Sequence, residues 1–123
     1  MIDYFESEEY RKSFNKLLKR YRTLDRDIAY FKQFVLEPYF DKGIDTSAFV
    51  KIEGGCNEKY DSYKVIKFAC MNLKSKGNRS GIRIVFVVDK SIINTTNIEF
   101  LEIYFKGDKE MNNMELLKNR ISE

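Results

Sequence analysis

The feature that most limits the architecture of this chain is a change of apolar period part-way along it, from 3.6 residues to 2. Tyr10, Phe14, Leu17, Leu18 and Tyr21 fall at i, i+4, i+7, i+8 and i+11, which is one face of a helix over residues 8–22. Arg11, Lys12, Lys16, Lys19, Arg20 and Arg22 take the other face. Thr23 is placed to cap a second helix, with Asp25 and Asp27 favourable near the positive end of its dipole. Leu24, Ile28, Phe31 and Val35 form the buried stripe of that helix. Pro38 is expected to end it, because the residue before a proline is pushed out of the α region. With almost no linker the two helices fold back as an antiparallel hairpin, and their shared apolar surface needs a sheet to cover.

After a loop containing Gly43, Gly54 and Gly55, alternation of period 2 sets in. Strands are expected over 63–72, 81–89 and 98–105, joined as an antiparallel meander, with a short opening strand at 2–5 and a short C-terminal helix around Met114, Leu117 and Ile121. The expected order is (β)ααβββ(α). This is an α+β fold, one domain over 1–123, with a two-helix hairpin on one face of a small twisted antiparallel sheet. The opposite face is expected to be open, and alternation sets Arg83, Glu102, Tyr104 and Lys106 on it. In the first of these strands, Lys67 is the lysine expected to join Arg83. Lys64 shares the parity of Ile66, Phe68 and Cys70 and would need a bulge to reach the same face.

Composition narrows the chemistry. With 123 residues, 43% of them hydrophobic and 33% charged, the chain can bury one core and is too apolar to stay unfolded. It lacks the run of about 20 apolar residues that a membrane span needs. The acidic N-terminal stretch has no apolar segment of signal-peptide length, so the expected location is the cytoplasm. There is no histidine and no Cys-x-x-Cys, which removes the usual zinc sites and the His-dependent nucleophile systems. Cys56 and Cys70 are expected to stay unpaired. No metal or cofactor is expected, and any catalysis must run on Lys, Arg, Tyr and carboxylates. The net charge of +3 conceals a segregation: residues 63–90 carry seven basic side chains and one acidic, whereas both flanking segments are slightly acidic. A local block of that kind points to a polyanionic partner, with nucleic acid first.

A helix, a basic turn and a second helix are followed by Tyr63-Lys-Val-Ile-Lys-Phe, Ser80-Gly-Ile-Arg-Ile-Val-Phe and Leu101-Glu-Ile-Tyr-Phe-Lys-Gly-Asp-Lys. In that order, over residues 8–110, these segments resemble the RelE/ParE superfamily of type II toxins, and within it the RelE-like, ribosome-dependent mRNA interferases. The resemblance implies RNA bound on the open face and Arg83 at the scissile phosphate. It also implies that Lys64 or Lys67 takes the proton from the ribose hydroxyl, and that Lys106 and Lys109 lie near the leaving group. The partners it implies are mRNA, the ribosome and a cognate antitoxin. Lys74, Lys76 and Arg79 are candidates for gripping RNA phosphate, and Tyr104 for stacking a base. No tyrosine follows Lys109, so the general acid is unassigned.

Cleavage by the neighbouring 2′-OH needs deprotonation of that hydroxyl, neutralisation of a phosphorane-like centre and protonation of the 5′ oxygen. A planar arginine fork matches two phosphate oxygens. Two other readings stay open: a ParE-like toxin that inhibits DNA gyrase without cutting RNA, and a degenerate member that only binds its antitoxin. Leu101, Phe105, Met111, Met114 and Leu117 are the apolar residues expected to meet an antitoxin.

Overall fold

The computed structural model describes residues 1–77 and 79–122 and, within these, all side chains except those of Lys74 and Ser75. The chain enters as β1 (Ile2–Glu6) and passes through Ser7 into α1 (Glu8–Arg20). Ser7 fixes this junction twice over. Its hydroxyl oxygen accepts the Tyr10 N–H at 3.0 Å, capping the helix, and its hydroxyl donates to the Leu101 carbonyl at 2.7 Å. Glu8 and Glu9 lie in the first turn of α1, and Lys19 and Arg20 in the last, both favourable to the helix dipole.

α2 (Leu24–Phe31) continues through a π-helical turn (Lys32–Leu36) into α3 (Glu37–Lys42) without leaving helical geometry. Pro38 therefore does not end the second helix. The Glu37 N–H bonds to the Lys32 carbonyl five residues back, and this widened turn absorbs the change of register just before the proline. Pro38 follows as the second residue of α3, directly after this turn. The helix stops at Gly43, in the left-handed region at φ 71°, whose N–H returns to the Tyr39 carbonyl at 3.0 Å.

Four more strands follow: β2 (Phe49–Lys51), β3 (Tyr60–Val65), β4 (Ile82–Asp89) and β5 (Thr96–Phe105). They form one sheet with β1 in the order β1-β5-β4-β3-β2. The α+β class is as expected, but the sheet is mixed rather than wholly antiparallel. β1 lies parallel to β5, from Ile2 opposite Thr96 to Glu6 opposite Phe100, and β2 is a strand that periodicity alone had left inside a loop. The helices cover one face. Tyr10, Leu17, Leu24, Ile28, Phe31 and Leu36 pack there against Val65, Ile82, Ile84, Phe86, Ile98 and Phe100.

The opposite face is not open along its length. α4 (Met114–Ile121) lies across it and closes a second core, in which Leu117 and Ile121 meet Ile52, Tyr60, Val85, Val87 and Leu101. Leu101 reaches this side because β5 carries a bulge: Val85 is opposite Glu102 and Phe86 opposite Phe100, leaving Leu101 as the extra residue. Leu101 and Leu117 are thus buried in this core, not presented to a partner, whereas Met111 is exposed. Among the described residues, no helix is long and apolar enough to cross a membrane.

Candidate functional site

β3 and β4 decide which lysine accompanies Arg83. In register, Tyr63 faces Phe86 and Val65 faces Ile84 on the helix side, so Lys64, opposite Val85, points to the other face. Arg83 alternates with Ile82 and Ile84, both fully buried on the helix side, and so shares that face with Lys64. The two are diagonal neighbours on adjacent strands, a separation of about 7–8 Å.

The expectation that Lys67 joins Arg83 is corrected here. The Ile66 and Lys67 N–H groups both donate to the Ala48 carbonyl, at 2.9 and 3.1 Å, so two residues stand opposite one and the parity slips. Tyr63 and Val65 before the slip, and Phe68 and Cys70 after it, therefore all turn inward, which no strict alternation allows. Lys67 is left lining a cavity beneath α2 on the helix side, with Phe31 and Val35.

Arg83 is half-buried, and its Nη1 donates to the Ile66 carbonyl at 3.2 Å. Among the described residues no carboxylate lies in ion-pair contact with it. Glu102, the obvious cross-strand partner, is engaged elsewhere: only 4% exposed, it accepts from the Lys109 ammonium and, at 2.8 Å, from the Asn113 N–H. That carboxylate ties the segment after β5 down to the sheet.

Lys109 is consequently held by Glu102, with its ammonium 5.2 Å from the centre of the Tyr104 ring. Tyr104 lies opposite Arg83 on β5 and is buried, so its ring face is not available for a base while Lys109 stays in place. Burial raises the Tyr104 phenol above its ordinary range, and the nearby Glu102 carboxylate adds to this while Arg83 opposes it. The Tyr104 phenol thus keeps its proton at neutral pH. Lys106 follows β5 as an exposed side chain, its N–H bonded to the Gly81 carbonyl at 2.8 Å. The ring of Phe105 fills the space where a Cβ would stand on Gly81 or Gly107, so the Lys106-Gly-Asp-Lys turn closes over the start of β4.

Lys76 and Arg79 are exposed on the connection between β3 and β4, where the chain makes 3₁₀ turns over Met71–Lys76. The Lys74 side chain lies outside the described residues. This connection is pinned by Ser80, whose hydroxyl donates to the Phe68 carbonyl at 2.5 Å, and by Asn72, which accepts the Thr23 N–H at 2.8 Å. The residues brought together around Arg83 are therefore Lys64 and Tyr104, with Lys109 at the edge.

Sequence reasoning missed what two further groups do. Asp27, 6% exposed, accepts from the Thr23 hydroxyl at 2.9 Å and the Met71 N–H at 3.2 Å, docking α2 onto the connection. Arg120 pairs with Glu99 at 2.5 Å and lies 4.8 Å from the Tyr60 ring centre, anchoring α4. Hydrogen bonds from Arg120 and Lys59 hold the Tyr60 phenol below its ordinary range. Neither group follows a local motif, and only the apolar Val85 and Val87 on the second face signalled that something must cover it.

No protein-family model matches this chain, and neither the curated proteins nor the solved structures gave a similar relative. The functional reading accordingly rests on the residues around Arg83 and on the sequence resemblance.

Proposed function

We propose that the protein is the toxin component of a type II toxin-antitoxin pair, a RelE-like, ribosome-dependent endoribonuclease that cuts mRNA by attack of the 2′-OH on the adjacent phosphate. The observation that carries this reading is Arg83: a half-buried guanidinium bonded to one backbone carbonyl, beside Lys64. The chain around it holds no acidic residue between Asp61 and Asp89. An arginine that no carboxylate pairs with among the described residues, and that is partly shielded from water, is suited to a phosphate.

In this reading the Lys64 side chain, in its uncharged amine form, takes the 2′-OH proton and becomes an ammonium, the 2′ oxygen bonds to phosphorus, and the bond to the 5′ oxygen breaks. The products are a 2′,3′-cyclic phosphate and a 5′-hydroxyl. Arg83 neutralises the charge that grows on the non-bridging oxygens. Tyr104, paired with Arg83 across β4 and β5, is the phenol this site offers as a proton source for the 5′ oxygen. The partners are mRNA on the ribosome and a cognate antitoxin.

One observation favours the alternative of a gyrase-inhibiting binder or a non-catalytic member: Lys109 is spent on Glu102 and covers Tyr104. The test is to incubate the purified protein with mRNA, with and without translating ribosomes, and to map ends while assaying gyrase supercoiling in parallel. Ribosome-stimulated cuts ending in cyclic phosphate support the nuclease. Intact mRNA together with inhibited gyrase supports the alternative.

A further inference from the structure

The cavity that Lys67 lines lies on the other side of the sheet from the proposed phosphate site. It measures about 190 Å³, and its wall is made by Phe31 and Val35 of the second helix and by Ala48 and Ala69 from the strand side. An apolar space of about 150 Å³ is enough to hold a benzene ring, so this one accepts a single leucine or phenylalanine side chain.

Its surroundings are those of a contact surface. Tyr30 lines the mouth and pairs with Phe34 at 4.5 Å between ring centres, yet the two are 61% and 51% exposed. Two adjoining aromatic rings left in water beside an apolar cavity form the anchor-and-rim arrangement of a protein interface. Phe31 and Val35, four residues apart, lie together over the cavity, while Tyr30 and Phe34, likewise four apart, are exposed beside it.

The charge on the rim selects the partner. Lys67 lines the cavity with an exposed side chain, and no acidic residue follows it in the chain before Asp89. Among the described residues the one carboxylate lining the cavity is Asp27, which is buried and already bonded to Thr23 and Met71. We infer that this surface docks an acidic segment of a partner protein, which inserts one large apolar side chain into the cavity and sets its carboxylates against Lys67. The inference does not rest on the nuclease reading, because none of its residues belongs to the Arg83 site.

A phage-displayed library of random 16-residue peptides, selected against the purified full chain, tests it. Enriched peptides are expected to be acidic with one or two large apolar residues. Their affinity should fall about tenfold or more in Ala69→Phe, which fills the cavity from its exposed rim, and in Lys67→Glu, which reverses the rim charge. Thermal unfolding and amide spectra of both variants establish that they fold. Absence of enrichment, enrichment of basic peptides, or undiminished binding to a folded Ala69→Phe protein would overturn the inference.

Discussion

Arg83 and Lys64 show what a single position can and cannot reveal. Arg83 was legible because glycine, then hydrophobic residues flanking one arginine, fixes its face by simple alternation, and β4 keeps that alternation over its whole length. Lys64 was not, since its face depends on where the alternation breaks. Strict parity from Phe68 and Cys70 back to Lys64 fails at the double acceptance by the Ala48 carbonyl, a backbone event that no side chain announces. The two lysines therefore separate the bulged geometry from the unbulged one. Under the nuclease reading, Lys64→Ala is expected to slow single-turnover cleavage by about a hundredfold, as for loss of a general base, and to cost far more than Lys67→Ala. Equal losses in the two variants, measured at saturating ribosome complex, would place the base elsewhere.

Among the elements, α4 is the one whose position matters most and was least expected. Its amphipathic spacing was visible in Met114, Leu117 and Ile121, but its docking surface was not, because Leu101 joins that surface only through the bulge in β5. The helix is held at both ends. Asn113, its cap residue, gives its N–H to Glu102, and Asn57 donates to the Ile121 carbonyl at 2.9 Å. Leu117 is fully buried at the centre of the second core, so Leu117→Ala should destabilise the protein by about 2–5 kcal/mol, the cost of lost transfer energy and the cavity left behind. Denaturant unfolding checks this. A change below about 0.5 kcal/mol, typical of surface substitutions, would mean that α4 is not packed on the sheet. The long second helix makes the same point in reverse: Pro38 gave a correct local signal, which the π-helical turn overrode.

For the molecule as a whole, sequence order disclosed the α+β class and the helical layer, but not the mixed pairing of the sheet or the cover on its second face. The parallel pairing of β1 with β5 joins residues more than ninety positions apart, and local periodicity carries no information on such a contact. The sheet divides the chain's positive block between its two faces, with Lys64 and Arg83 on the α4 side and Lys67 on the helix side. The central claim concerns the first of these surfaces: Arg83 meets the scissile phosphate of RNA. Single-turnover cleavage of ribosome-bound mRNA by Arg83→Ala, with folding verified by thermal unfolding, tests it most directly. The expected result is a loss of at least about a hundredfold, as for removal of a preorganised partner of transition-state charge. Cleavage at the rate of the unaltered protein by a folded Arg83→Ala variant would contradict it.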